Sequence, residues 1–324
     1  MRLEGTDYII RIKSINDLLR ALSLASLLEL SGWPKPGNVH RTQNFEHTRY
    51  EHFLAGIAAI QPNFREFCER INQNSFIDEI DYKNINLGLL IKNSAEEMIK
   101  WQQGGNVILG HILILAPLVV ATIICLKTEK YDFISFRTIL NKVIEKTSVN
   151  DTLNLYEAIQ KCNPGGLGKI EKYDIYDENS LKDLVKDNIN LKRIFDLSKD
   201  YDLISSEYST GFNIILNEGL PYFLNVFNQF NDINAATVNT YLKLLSLHPD
   251  TLVIRKSGLE KASKISKMAL KILEEGGLLT SKGEKLIFAL DKRLQKEKGK
   301  LNPGTIADLI SGVIFCTLLF GLKF

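Results

Sequence analysis

Apolar residues recur at helical spacing along nearly the whole chain, and no segment alternates apolar and polar residues as a half-buried strand would. The first helix is predicted to begin after Ser14 and to end at Gly32, because these residue types cap helices. A later apolar stripe over 259–273 lies opposite a row of lysines, and Ser281 with Glu284 forms a predicted capping box for the next helix. The pattern predicts an all-α protein, a single multi-helix bundle-like domain over residues 1–324.

One segment, Val107 to Leu126, carries no formal charge and is long enough to cross a bilayer. It contains His111 and Pro117, and neither a Lys/Arg-rich flank nor an aromatic belt frames it. A helix that is hydrophobic on all sides is typical of the centre of a large helical core. We therefore predict a buried central apolar helix, with a membrane anchor as the rarer alternative.

The composition is that of a soluble globular protein, with 45% apolar and 24% charged residues among 324. A formal net charge of +2 gives no overall field for nucleic acid or an anionic membrane. The four cysteines are far apart without a CxxC pair, and the N-terminus has no signal-peptide core. These features predict a cytoplasmic protein with neither nucleic acid nor membrane as a partner.

Five of the eight prolines fall in four short loops, at 34–38, 163–166, 248–251 and 302–305. Taken singly, each is typical of a helix boundary, with Asn302 as an N-cap before Pro303 at the first helical position. Taken together, they suggest helix N-termini gathered at one end of the bundle. Free N–H groups and helix dipoles would make such an end a site for an anion.

The local motifs of common nucleotide enzymes are absent: there is no GxxxxGK[ST], no GxGxxG after a strand, no GxSxG and no HExxH. Bases and carboxylates instead lie in or beside the proline loops. They are Lys35, His40, Arg41, Asp151, Glu157, Asp250, Arg255, Lys256 and Asp308. Bases that contact phosphate oxygens and carboxylates that hold a metal suit a magnesium-bound polyphosphate.

Five segments in this order resemble the triphosphoribosyl-dephospho-CoA synthase family, especially its archaeal branch. They are PKPGN-VHR (34–41), DTLNLYEAIQKCNPGGLG (151–168), SSEYSTGF (205–212), LHPDTLVIRKSG (247–258) and LNPGTIADLI (301–310). The resemblance runs from about Glu29 to the C-terminus. The family is all-α, in agreement with the periodicity.

The resemblance implies an enzyme that uses ATP as a sugar donor. Family members join the ribose of ATP, with its triphosphate, to the 2′-hydroxyl of 3′-dephospho-CoA and release adenine. The implied partners are ATP, Mg²⁺ and a CoA-like acceptor, and a homodimer is left open. Because no phosphoryl group is transferred, the chemistry needs no P-loop.

The resemblance also implies a set of site residues. Candidates for acid–base catalysis are Glu29, Asp151 and Asp250. Candidates for binding ATP and its phosphates are Lys35, Gly37, Asn38, His40, Arg41, Asn106, Asn163, Gly165, Gly166, Tyr208, Arg255 and Lys256. Candidates for metal binding are Asp250 and Asp308. If Lys35 contacts phosphate, Lys35→Ala is predicted to weaken nucleotide binding while changing stability by roughly 0.5 kcal/mol or less.

The chain departs from the bacterial pattern in the segment 106–110, where Asn-Thr-His-Lys-Gly is replaced by Asn-Val-Ile-Leu-Gly. It also departs at 38–40 and at 46–50. Two alternatives therefore stay open beside the leading function. One is the same chemistry on another acceptor, and the other is a non-catalytic nucleotide-binding protein on the same fold.

Overall fold

The fold is seen in a computed structural model, described for residues 8–73, 80–168 and 172–324. These residues form helices and contain no β-strand, only isolated bridges between Ile9 and Asp132 and between His40 and Gln43. The all-α prediction is confirmed. The helices are α1 (Ile15–Ser31), α2 (Tyr50–Ala59), α3 (Gln61–Gln73), α4 (Leu87–Lys100), α5 (Leu109–Lys127), α6 (Phe133–Glu145), α7 (Val149–Cys162), α8 (Glu178–Lys186), α9 (Leu191–Ser198), α10 (Leu203–Thr210), α11 (Leu220–Phe230), α12 (Ile233–Leu247), α13 (Thr251–Ser257), α14 (Leu259–Glu274), α15 (Ser281–Gln295) and α16 (Gly304–Leu319).

Three shorter helices complete the architecture. Tyr82–Asn84 and Gly277–Leu279 are 3₁₀-helices, and Ile214–Gly219 is a π-helix that leads directly into α11. One large apolar core extends from Tyr8 to Leu319. The prediction of a single domain over 1–324 also takes in residues 1–7, 74–79 and 169–171, which lie outside the described ranges, and it stays a prediction.

The first helix has the predicted caps. Ser14 is the N-cap, with its hydroxyl oxygen 3.1 Å from the amide nitrogen of Asp17, and Gly32 follows the last turn. Leu18 and Leu22 are fully buried, as an apolar face requires. The same buried side of α1 also carries Glu29, which places an ionisable group inside the core.

The apolar segment predicted over 107–126 forms α5, and its burial confirms the buried central helix. In the most apolar window of α5, 89% of the residues are buried inside the protein. The helix packs against α1, α3, α4, α6, α10 and α16. Its length and hydropathy would also suit a membrane span, but this burial is that of a core helix.

Pro117 within α5 explains the placement of a buried tyrosine. A proline has no N–H, so the carbonyl of Leu113 has no donor four residues ahead in the helix. The hydroxyl of Tyr208 in α10 donates to this carbonyl at 2.7 Å. The tertiary structure thus satisfies a backbone group that the helix leaves open.

Two predicted helix starts differ from those observed. The cap of α15 is Thr280, which accepts from the amide of Gly283, so the cap lies one residue before Ser281. Asn302 does not cap α16, which begins at Gly304. The amide of Ile306 donates instead to the carboxylate of Asp250 at 2.7 Å, because another loop brings that carboxylate to the helix end.

Candidate active site

The four proline loops lie beside one another. A Cβ on Gly37 would lie 3.0 Å from the carbonyl oxygen of Leu301 and 3.0 Å from Pro303, so the first and fourth loops touch. A Cβ on Gly166 would lie 3.0 Å from the Cβ of Arg255, which places the second loop beside α13. The third and fourth loops are joined by the bond from Ile306 to Asp250.

The expectation that helix N-termini gather at these loops is only partly right. The third and fourth loops lead into α13 and α16, whereas the first and second follow the C-terminal ends of α1 and α7. Two helix starts therefore share this end of the bundle with three helix C-termini, those of α1, α7 and α12, since the third loop also follows α12. Their dipoles oppose, so the end has no single sign of charge from the backbone.

A buried polar cluster lies where α1, α5 and α16 meet. The ammonium group of Lys35 pairs with the carboxylate of Glu29 and also donates to the Glu29 carbonyl at 2.8 Å. The Nε2 atom of His111 is 3.1 Å from Glu29 Oε2 and 3.7 Å from Asp308 Oδ1. We call these four residues the central cluster. It joins the first proline loop, the first turn of α5 and the start of α16.

Glu29 is ionised in this cluster. Burial by itself raises the pKa of a carboxyl group, but the charge of Lys35 and the hydrogen bond and charge of His111 outweigh it. Together they hold the pKa of Glu29 below its usual value. The buried charge is therefore compensated only as long as its partners remain.

Asp308 is the member of the cluster that a ligand can reach, since its side chain is 23% exposed. The carboxylate lies against the first turn of α5, where a Cβ on Gly110 would be only 2.0 Å from Asp308 Oδ2. Burial, opposed by the charge of His111, raises the pKa of Asp308 to about 7. A carboxyl group in this state can accept and return a proton at neutral pH.

Asp250 has a structural task at the loop end. Its Oδ1 accepts from the amide of Val253 at 3.0 Å and its Oδ2 accepts from the amide of Ile306. Burial raises the pKa of Asp250 to about 6 against these hydrogen bonds. Its negative charge also raises the pKa of Asp308, so it lies close to the central cluster.

The first proline loop turns its polar groups inward. Gly37, with φ +78°, donates its amide to Asp291 at 2.9 Å. His40 is buried with Nε2 3.4 Å from Asp291, and Asn38 donates to the hydroxyl of Tyr241 at 2.9 Å. These contacts fix the loop, which in turn fixes Lys35.

Arg41 lies at the exposed end of that loop. Its guanidinium carbon is 5.7 Å from the centre of the Trp33 ring, and Nη2 is 3.3 Å from Asn234 Oδ1. The side chain is exposed, whereas Lys35 is buried. The two basic side chains, both candidates for phosphate binding, therefore lie in different surroundings, Lys35 in the core and Arg41 at the surface.

Asp151 and Asn106 cap helices. The Oδ1 of Asp151 accepts from the amide of Gly88 at 2.8 Å, and its Oδ2 accepts from the amide and hydroxyl of Ser148. Asn106 accepts from the amide of Leu109 at 3.1 Å at the start of α5. A structural role accounts for both oxygens of Asp151, and the predicted catalytic role has no support from its contacts.

A basic corner forms where the second loop meets the end of α13. A Cβ on Gly165 would be 3.4 Å from Cε of Lys256, whose ammonium group donates to the carbonyl of Gly299. Arg255 pairs with Asp202 at 2.6 Å. Asn163 accepts from the hydroxyl of Tyr176 at the C-terminal end of α7 and is exposed. We call Gly165, Gly166, Arg255 and Lys256 the basic corner.

Tyr208 lies in the core and not at the loop end, with its ring 4.0 Å from that of Phe195. Tyr208→Phe should lower the free energy of unfolding by about 1–3 kcal/mol, since the buried carbonyl of Leu113 would lose its donor. Urea unfolding measures this loss, with the exposed Tyr201→Phe as the control. An unchanged stability together with weaker ATP binding would instead restore the predicted ligand role of Tyr208.

The residues proposed for a metal do not form a resident metal site. Among residues 8–73, 80–168 and 172–324, no group of three or more His, Cys, Asp or Glu side chains is placed to hold an ion. Both oxygens of Asp250 already accept backbone N–H groups, and Glu29 is paired. Asp308 alone offers too few ligands for Mg²⁺.

His111 belongs to the central cluster, although no function was predicted for it from the sequence. It interrupts an otherwise apolar helix, and a buried polar side chain in such a helix is informative. The signal was therefore present in the sequence. What the sequence lacks is the pair of carboxylates, from α1 and α16, that meets the histidine.

Comparison with known proteins agrees with this architecture. A crystal structure from Archaeoglobus fulgidus, described as a candidate triphosphoribosyl-dephospho-CoA synthase, superposes with a TM-score of 0.62 at 27% identity. The match covers 83% of this chain and 100% of that one. The class defined by this fold is an all-α protein of the same architecture as that crystal structure.

The family is shown by its model. Residues 15–323 match the model of ATP:dephospho-CoA triphosphoribosyl transferase, and the chain belongs to that family. Over 105 residues it is 31% identical to the 2-(5''-triphosphoribosyl)-3'-dephosphocoenzyme-A synthase of Escherichia fergusonii and 28% identical to that of Klebsiella pneumoniae. These matches span about a third of the relatives' length, 34% in each case.

Proposed function

We propose that this protein transfers the triphosphoribosyl group of ATP to the 2′-hydroxyl of 3′-dephospho-CoA and releases adenine. The observation that carries the proposal is the central cluster, an acid–base constellation with one accessible carboxyl group inside a chain of this family. Glycosyl transfer needs a group that accepts the proton of the attacking hydroxyl. It does not need a phosphate-cleaving P-loop.

In the proposed reaction the bond between ribose C1′ and adenine breaks, and a bond forms between C1′ and the acceptor oxygen. Asp308 takes the hydroxyl proton, because it is the cluster's accessible carboxyl group and His111 Nε2, at 3.7 Å, is too far to hold it in a hydrogen bond. The departing adenine gains a proton from water at the nitrogen that leaves C1′, and Asp308 afterwards returns its proton to water, so the protons balance. The positive charge that develops on the ribose is stabilised by the carboxylate charges of Asp308 and Glu29.

The basic corner suits the triphosphate. Gly165 and Gly166 leave the second loop free of side chains beside Lys256, and a chain of phosphates can approach a glycine backbone closely. The charge of Asp250 acts on both Lys256 and Asp308, and its carboxylate meets the amide of Ile306 at the start of α16, which supports one site shared by the corner and the central cluster. Lys256 is exposed and available for a phosphate oxygen.

We further propose that any Mg²⁺ arrives with ATP as part of the substrate. The triphosphate oxygens supply most of its ligands, as they do for Mg²⁺ at many nucleotide sites. The proposed compartment is the cytoplasm. Its support is the four cysteines, which are all free and buried.

Product analysis tests the function. The purified protein is incubated with Mg-ATP and 3′-dephospho-CoA, and adenine and the CoA product are measured by mass spectrometry. Adenine in equal amount to a dephospho-CoA adduct is the expected result. If adenine appears together with an adduct of another alcohol, and no dephospho-CoA adduct forms, the protein uses a different acceptor. ATP binding without adenine would indicate a non-catalytic protein.

A further inference from the structure

The buried histidine of the central cluster has a partner for only one of its two ring nitrogens. His111 is buried, as are Ile112 and Leu115 on the same helix. Its Nδ1 atom has no hydrogen-bond partner, and an unpartnered buried polar atom destabilises a fold. An apolar side chain would therefore suit α5 better if packing were the sole requirement.

The contacts of the ring define its protonation pattern. Nε2 lies 3.1 Å from a carboxylate oxygen of Glu29, whereas Nδ1 has no acceptor. A hydrogen on Nε2 has an acceptor in Glu29 whether the ring carries one N–H or two. The hydrogen-bond network thus assigns a proton to Nε2.

The two carboxylates are held differently. The distance of 3.1 Å to Glu29 is a hydrogen bond, and the distance of 3.7 Å to Asp308 is longer than one. Glu29 is further fixed by Lys35, so the ring is anchored on that side. The same Nε2 atom is 3.7 Å from Asp308 Oδ1, close enough to limit where the Asp308 carboxylate can lie.

We propose that His111 is a positioning residue, which anchors on Glu29 through Nε2–H and keeps the carboxylate of Asp308 directed toward the acceptor hydroxyl. This inference rests on the proposed function for its activity readout only. The anchoring itself is a property of the free protein. His111 acts through Asp308 and is not required to touch the substrate.

Two substitutions separate positioning from packing. His111→Leu fills the space but cannot donate, and we expect it to lower kcat about 100-fold with little change in KM for ATP. His111→Gln keeps an N–H donor, so it should restore most of that loss. His47→Leu, at a side chain 89% exposed, is the matched control and should behave as the wild-type protein.

The outcomes are distinct. Equal activity of His111→Leu and the wild-type protein would overturn the proposal. So would an equal loss of activity in the Leu and Gln variants that parallels their loss of melting temperature. The imidazole ¹⁵N shifts of His111, assigned by their loss in His111→Gln, should show a proton on Nε2 in the free protein. A proton on Nδ1 alone would overturn the anchoring of His111 on Glu29, whether or not any product forms. If the expected shifts are seen but no adenine is released, only the proposed function is contradicted.

Discussion

Lys35→Ala should lower the free energy of unfolding by about 3–5 kcal/mol, because it leaves a buried carboxylate without its ion-pair partner. Lys35 is 1% exposed and pairs with Glu29, which is 2% exposed. The expectation of little change in stability assumed a lysine that points into a ligand site. Burial of the pair contradicts that assumption.

The test is urea unfolding of three variants. Lys100→Ala breaks an exposed pair with Glu97 and should cost about 0.5 kcal/mol or less. The double variant Glu29→Gln with Lys35→Met removes both charges and should recover most of the stability that Lys35→Ala loses. A loss in Lys35→Ala no larger than that of Lys100→Ala would mean that the buried pair is not formed.

The same double variant decides whether Lys35 holds phosphate, which stays a prediction. Its affinity for Mg-ATP can be measured on a stably folded protein. We expect the affinity to be unchanged, because the ammonium group is buried against Glu29. An affinity lower by about 2–4 kcal/mol would restore the phosphate role.

Asp308→Asn should lower kcat about 1,000-fold while leaving the fold intact, since an amide cannot accept the hydroxyl proton. Asparagine has nearly the size and shape of aspartate, and the 3.7 Å contact of Asp308 with His111 is longer than a hydrogen bond that the change could break. Adenine release under saturating ATP and acceptor measures the effect. Asp200→Asn, at an exposed position, is the control. Activity within tenfold of wild type would remove Asp308 from the catalytic role.

At alkaline pH, Asp308→Asn should raise the free energy of unfolding even though it lowers kcat. The raised pKa of about 7 means that the native protein holds a proton on Asp308 that the unfolded chain, with its ordinary carboxyl pKa near 4, has lost. The contribution of this group to stability is therefore full below about pH 4 and falls as the pH rises through 7. Asp308→Asn lacks that fall, so unfolding at pH 8 should show the variant as the more stable protein.

Much of the secondary structure could be predicted because it depends on neighbours in sequence. Ser14 and Gly32 bound α1, and the uncharged run over 107–126 became α5. In both cases the helix is determined by apolar residues spaced three and four apart, or by a capping residue, and both are visible in the sequence. The errors at Ser281 and Asn302 were small shifts in register or cap identity.

The contacts of the polar side chains could not be predicted from neighbours in sequence. Asp151 was assigned to catalysis, and Asn106 and Tyr208 to ATP binding. Each is bonded to a backbone group that comes from elsewhere in the chain or from a helix end. A carboxylate or hydroxyl has the same appearance in a sequence whether it caps a helix or meets a substrate. Only its neighbours in space decide.

The sequence by itself therefore determined an all-α protein of this family, its central apolar helix and four proline loops. The tertiary structure decided that Lys35 lies inward on Glu29, and that His111 stands between Glu29 and Asp308. The physical reason is the distance along the chain over which each kind of interaction acts. Helical periodicity is set by residues within one turn, whereas the ionisation of a buried group is set by charges and burial that arrive from distant segments.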